Sequence, residues 1–210
     1  MIEEKEQSTL MKIHEAARQE FLEKGFQLAS LRNIVKTAGV TTGAFYGYYN
    51  SKEELFDALV GEQAEYVLQL FDNTVNKFEH LSGEEQTEQM TDISEGTFLQ
   101  MLDYIYDNYV AFKLIILCAE GTKHADFVHQ LVEREEKSTI TYIETLKKMG
   151  YSPEPINGKL MHMAASGLYN AIFESIVHDL SKEEAKTYLK QMTRFYAAGW
   201  EELLGVKFGK

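Results

Sequence analysis

Apolar residues recur along the chain at helical spacing. Leu10, Ile13, Ala17, Phe21 and Leu22 form one stripe, and Gly25 follows it as a glycine ending a helix would. Ser30 then stands before a short run carrying Leu31, Ile34 and Val35, which stops at Ala38-Gly39. Thr41-Thr42 supplies a second capping pair, and Ser51-Lys52-Glu53-Glu54 reads as a capping box opening a longer helix through Leu55, Phe56, Leu59, Val60, Tyr66 and Phe71. Three short helices with a tight glycine-containing turn between the second and third outline a helix-turn-helix unit.

The pattern changes beyond about residue 78. Residues 79–93 are polar and read as a loop, and a single helix is expected over 94–118 with Phe98, Leu102, Ile105, Tyr109, Phe112 and Ile116 on one stripe. Gly121 interrupts it. A further helix is expected over 124–148, anchored by Phe127, Leu131, Ile140, Ile143 and Leu146. Met149 to Pro155 is the clearest break, and two helices follow over 156–179 and 182–204, the second opened by the box Ser181-Lys182-Glu183-Glu184. The stretch Leu160 to Phe173 holds no charged residue and contains Ala164, Ala165, Ser166, Gly167 and Ala171, which suits close helix packing within or between subunits.

Composition narrows the class. The 210 residues include only two prolines, Pro153 and Pro155 with one residue between them, and most of the 14 glycines lie between periodic stretches. The expected fold is all-α: an N-terminal helix-turn-helix domain over 1–50 and a larger helical domain over 51–210. No run of 18 apolar residues offers a membrane span, and the acidic start Met1-Ile2-Glu3-Glu4-Lys5-Glu6 lacks the apolar core of a secretory signal, so a cytoplasmic protein is expected. The single Cys118 excludes an intramolecular disulfide and any multi-cysteine metal site, and its apolar surroundings mark an inert core thiol.

Net charge is −12, unevenly spread. From Gln7 to Lys52 six basic residues (Lys12, Arg18, Lys24, Arg32, Lys36, Lys52) face three acidic ones (Glu15, Glu20, Glu23), a balance of +3 that leaves −15 elsewhere. A mildly basic module on an acidic body points to an anionic partner for the first module alone. Enzymatic readings find little: Glu120, His124 and His129 lie close in sequence without HExxH, GxSxG, a Walker loop or GxGxxG beside them. No catalytic residue, metal site or cofactor is expected.

The segment Gly25 to Leu55 resembles the DNA-binding domain of the TetR family of bacterial transcriptional regulators. The matching features are Gly25-Phe26, Ser30, Ile34, Ala38-Gly39-Val40, Gly43, Phe45-Tyr46, Tyr48-Tyr49, and Lys52 followed by Leu55. The resemblance covers about residues 8–56; the remainder matches only in length and helix number. Each residue also has a physical reason. Gly39 allows the positive φ of a tight turn, and Ile34, Val40, Phe45 and Tyr49 suit the small core. Gly43 leaves room either for a DNA backbone or for close packing. Thr41 or Thr42 can cap helix three, turning its free amides toward phosphates.

Carried onto these positions, the resemblance implies a DNA surface of Ser30, Thr41, Thr42, Ala44, Tyr46, Tyr48 and Lys52. Thr42, Ala44 and Tyr48 would lie near base edges, with Ser30, Tyr46 and Lys52 on phosphates. Tyr48 stands where the family often carries histidine, and Gly47 leaves a neighbouring position bare, so the base-reading surface is small. It further implies a homodimer on a palindromic double-stranded DNA operator, with a small-molecule effector bound by the larger domain. Interface candidates are Leu160, Met163, Ala164, Gly167, Leu168, Ala171, Tyr188, Met192, Phe195 and Tyr196. Candidate effector-lining residues are Phe98, Leu102, Tyr109, Phe112, Phe127, Tyr142 and Phe173, drawn from a chain with 12 Tyr, 12 Phe and 8 Met. Asp103, Asp107 and Glu120, on or near the expected 94–118 helix, hint at a cationic lipophile. The rival reading is an α-helical dimer that binds a ligand or scaffolds without holding an operator.

Overall fold

The computed structural model describes residues 2–209, with side chains described over 7–209. Nine helices and no strand occur among the described residues: α1 (Ile2–Leu28), α2 (Leu31–Ala38), α3 (Thr42–Tyr46), α4 (Lys52–Glu79), α5 (Gly83–Asp107), α6 (Tyr109–Cys118), α7 (Phe127–Lys148), α8 (Gly158–Val177) and α9 (Lys182–Leu204). The all-α expectation holds.

Packing divides the chain into two compact units that do not follow the expected segments 1–50 and 51–210. The first comprises Met1–Glu65 with Asn108–Phe127, the second Tyr66–Asp107 with Val128–Lys210. The reason lies in α6, which packs on α1 and so joins the N-terminal helices despite its distance in sequence.

Within the first unit, the long run of α1 ends at Gly25, as the sequence predicts. That glycine takes φ 69° and ψ 166°, a break that only glycine adopts without strain, and one further helical turn runs on to Leu28. The break lets Phe26 turn inward, stacked on Phe21 at 5.9 Å and edge-on to Phe56 at 5.4 Å. Ile13, Ala17, Ile34, Phe45 and Leu55 complete a core with no solvent exposure. Each buried Phe or Ile there contributes about 1.5–3 kcal/mol.

Two boundaries in the expected loop and long helix are corrected. Residues 79–93 are not a loop, because α5 begins at Gly83. Ser82 and Glu85 cap it reciprocally: the Ser82 N–H donates to Glu85 Oε2 at 2.9 Å and the Glu85 N–H donates to Ser82 Oγ at 3.3 Å. Met90 and Ile93 then pack on the Phe78–Tyr142–Leu146–Leu204–Val206 cluster, which the polar composition of the stretch conceals. The single helix expected over 94–118 is two helices, broken at Asn108 (φ −120°, ψ 36°).

In the second unit, α9 packs against both α5 and α8. Tyr169 is fully buried on α8, with Phe71 and Phe98 edge-on to its ring at 6.4 and 6.0 Å. Ser181 and Glu184 form the predicted capping box of α9.

Candidate nucleic-acid interface and ligand cavity

The turn between α2 and α3 is set by local chemistry. Ser30 caps α2 in extended conformation, its Oγ accepting the Asn33 N–H at 3.4 Å. Gly39 closes the helix at φ 65°, ψ 31°, with its N–H bonded to Lys36 O and the Val40 N–H bonded to Val35 O. Thr41 caps α3, its Oγ1 accepting the Ala44 N–H at 3.1 Å. Phe45 is wholly buried and Tyr49 nearly so, which pins the five-residue α3 by one face and leaves the other out.

Glu20, a residue the sequence reading passed over, anchors this arrangement to α1. Its buried carboxylate accepts from the Ser30 N–H at 2.9 Å, Lys24 Nζ at 3.0 Å and Asn33 Nδ2 at 3.3 Å. Burial alone would raise its pKa, but these three donors together hold the carboxyl below the ordinary glutamate range. Asp57 makes a comparable tie on α4, where His124 Nε2 and Lys123 Nζ each approach its Oδ1 at 2.8 Å.

The exposed face of the module carries Thr41, Thr42, Gly43, Tyr46 and Gly47, with Ser30, Ala44 and Tyr48 half-buried. Tyr46 is 53% exposed, edge-on to Phe45, and its hydroxyl has no hydrogen bond among the described residues. A Cβ at Gly43 would meet nothing within 4 Å, so that glycine is not needed for packing within this chain. Five residues are too few for a helix macrodipole to act far, so the exposed side chains matter more than the α3 amides. Arg32 and Lys36 stand exposed on α2, legible in the sequence only as charge.

Lys52 is the correction. Its ammonium donates to Phe26 O at 2.6 Å, Ala29 O at 3.0 Å and Gln27 O at 3.3 Å, and stands 4.4 Å from the Phe26 ring centroid. All three protons are committed to carbonyls at the end of α1, which leaves none for a phosphate. The expected box at Ser51 forms by half: Ser51 Oγ accepts the Glu54 N–H at 3.1 Å, while Glu54 Oε2 accepts from the Asn50 N–H and Nδ2 at 2.8 and 2.9 Å.

The second unit carries a cavity of about 140 Å³, partly open to solvent. Phe71, Phe78, Phe98, Tyr142, Tyr196 and Trp200 supply its aromatic walls. Of the seven residues expected to line a ligand site, the cavity gathers Phe98 and Tyr142 alone. Leu102 and Phe173 are buried elsewhere in the unit, while Tyr109, Phe112 and Phe127 belong to the first unit, where the Phe112 and Phe127 rings meet at 6.1 Å. The break at Asn108 separates what had looked like one stripe. Asp103 and Asp107 are occupied by α9: Lys182 reaches both at 2.9 Å, and Lys186 reaches Asp103 at 2.8 Å. Glu120 is exposed in the first unit, so none of the three acids lines the cavity.

The expected interface residues also divide. Met163, Phe195, Tyr188 and Leu160 are exposed by 63, 69, 50 and 41%, and Ala164, Gly167, Ala171 and Met192 are half-buried. Leu168 and Tyr196 instead line the cavity. Helical spacing had placed them on the same helices, but the rotation of α8 and α9 against their neighbours turns this pair inward.

Glu120, His124 and His129 do not converge: His124 is bound to Asp57, and His129 pairs with Glu133 at 3.3 Å in the other unit. Among the described residues no group of three or more His, Cys, Asp or Glu could hold a metal, and no helix is long and apolar enough to cross a membrane. Cys118 is buried, and that burial pushes its thiol pKa up.

Residues 13–59 match the family described as bacterial regulatory proteins, tetR family. Over 57 residues the chain is 42% identical to the HTH-type transcriptional regulator TtgR of Pseudomonas putida, a span of 27% of each chain. It is 37% identical over 65 residues to UidR of Escherichia coli K12, 31% of this chain and 33% of that one. The chain thus matches about a quarter to a third of the length of these curated relatives. The fold extends further. A transcriptional regulator of Aquifex aeolicus superposes with TM-score 0.57 at 19% identity, covering 89% of this chain and 98% of that one. FadR of Bacillus halodurans, a fatty acid degradation regulator, superposes with TM-score 0.55 at 16% identity, covering 88% and 96%.

Proposed function

From the premise that this chain carries the DNA-binding domain of the TetR family of bacterial transcriptional regulators, we propose that it is a cytoplasmic homodimeric repressor. It holds a palindromic double-stranded DNA operator and releases it when a small lipophilic effector enters the second unit. The observation that carries the reading is the exposed edge of α3. Thr41, Thr42 and Tyr46 stand clear of the module on a helix pinned from behind by Phe45 and Tyr49. Thr42 with Ala44 and Tyr48 reads base edges, while Ser30 and Tyr46 bind phosphates.

Dimerisation uses the exposed apolar residues Leu160, Met163, Tyr188 and Phe195 of α8 and α9, in an isologous helical interface. Two such modules bind half-sites one duplex turn apart, roughly 34–36 Å. An effector releases the operator only through its difference in affinity for the two dimer forms. The rival, a dimer without operator binding, draws support from Lys52, a cation near α3 spent inside the fold.

The test is selection of duplex DNA from a random pool, with a Thr42→Ala, Tyr46→Ala variant beside the wild type. An inverted repeat is expected, weakened by added salt and lost in the variant. No enrichment at low salt, or equal enrichment by the variant, overturns operator binding through α3.

A further inference from the structure

We propose that the cavity of the second unit selects small lipophilic ammonium ions, seated on the Glu135 carboxylate. The inference deepens the effector part of the proposed function and rests on that reading.

Glu135 is the one charged side chain lining the cavity, which has no Lys, Arg or His to receive an anion. One of its oxygens accepts the Tyr169 hydroxyl at a long 3.3 Å; the other has no protein partner among the described residues. Tyr169 itself is fully buried. Burial pushes the Glu135 carboxyl up, the Tyr169 hydrogen bond only partly opposing it. Glu135 is half-buried with one oxygen free at the cavity, where a cation bringing its own N–H donors can meet it.

Three of the lining hydroxyls offer the cavity acceptors. Thr74 donates to Leu70 O at 3.0 Å, Thr97 to Ile93 O at 2.7 Å, and Thr193 to Lys190 O at 3.1 Å. Each has committed its proton to its own helix, so lone pairs are what it can offer the cavity. Phe71 and Phe98, flanking Tyr169, add aromatic faces that attract a cation. About 140 Å³ is close to the volume of an apolar protein cavity that holds one benzene, so a single-ring amine fits.

The experiment titrates the full chain, without DNA, with benzylamine and with its neutral counterpart benzyl alcohol. Binding is read by calorimetry and by the fluorescence of Trp200, the only tryptophan and a lining residue. Benzylamine is expected to bind roughly ten-fold or more tightly than benzyl alcohol. Glu135→Gln is expected to remove that preference. The wild-type comparison decides the matter even where the variant fails to fold. Equal or tighter binding of the alcohol, a preference that survives in Glu135→Gln, or binding of neither compound overturns the proposal. Because no DNA is present, failure here leaves operator binding standing, and failure of the DNA selection leaves this result standing.

Discussion

Replacing Lys52 by methionine keeps the length of the side chain and deletes its charge, separating two roles with opposite signatures. The ammonium makes hydrogen bonds of 2.6, 3.0 and 3.3 Å to the carbonyls of Phe26, Ala29 and Gln27. Net hydrogen bonds contribute about 1 kcal/mol each and a cation over an aromatic face about 0.5–1 kcal/mol. Lys52 is only half-buried, so water recovers part of the loss at the carbonyls. A destabilisation of about 2–3 kcal/mol remains. For a chain of this size each kcal/mol shifts Tm by about 2–4 °C, so the variant is expected to melt about 5–10 °C lower. Scanning calorimetry measures the shift. Operator binding titrated against salt measures the rival role, since loss of one phosphate contact lowers the slope of log affinity against log salt by about 1. Unchanged Tm with a shallower slope would refute the internal role of Lys52.

Three further outcomes are expected. Gly39→Ala forces alanine to φ 65° and should cost about 1–2 kcal/mol, whereas Gly43→Ala, in open space with helical backbone, should be near neutral in urea unfolding. Glu20 has a folded pKa below its unfolded value of about 4.3, so its contribution is complete above that range and lost as pH falls through the lower folded value. Glu20→Gln should therefore be less stable than wild type at pH 7 by about 1–3 kcal/mol, with the gap closing toward pH 3; a gap independent of pH refutes the assignment. Phe195→Glu, at a site 69% exposed, should yield a folded monomer by sedimentation with unchanged helicity; a persistent dimer excludes that face.

Short-range rules made much of the first unit legible in the sequence. Ser30, Gly39, Thr41 and Ser181 sit at helix ends because a hydroxyl or a positive φ is a local requirement, met within three or four residues. Apolar spacing identified Ile34, Phe45 and Tyr49 as core for the same reason. The same rules passed over the start of α5, where the Ser82 and Glu85 cap was present but the surrounding polarity hid Met90 and Ile93.

What the tertiary structure decided was the fate of groups able to serve two masters. A lysine stem can carry its charge to a phosphate or to carbonyls 23 to 26 residues back in the chain, and only the packing of α1 against α4 chooses the carbonyls. Leu168 and Tyr196 share helices with the exposed Met163 and Phe195, yet rotation of those helices turns them into the cavity. Glu135 lies in the charged run Glu133-Arg134-Glu135-Glu136-Lys137, indistinguishable by sequence from a solvated face. Its neighbours find ion pairs in Asp72 and His162, while Glu135 alone among them lines the cavity. Helix ends follow from chemistry between near neighbours; the direction a long polar side chain takes follows from residues far away in sequence, and only the assembled fold supplies them.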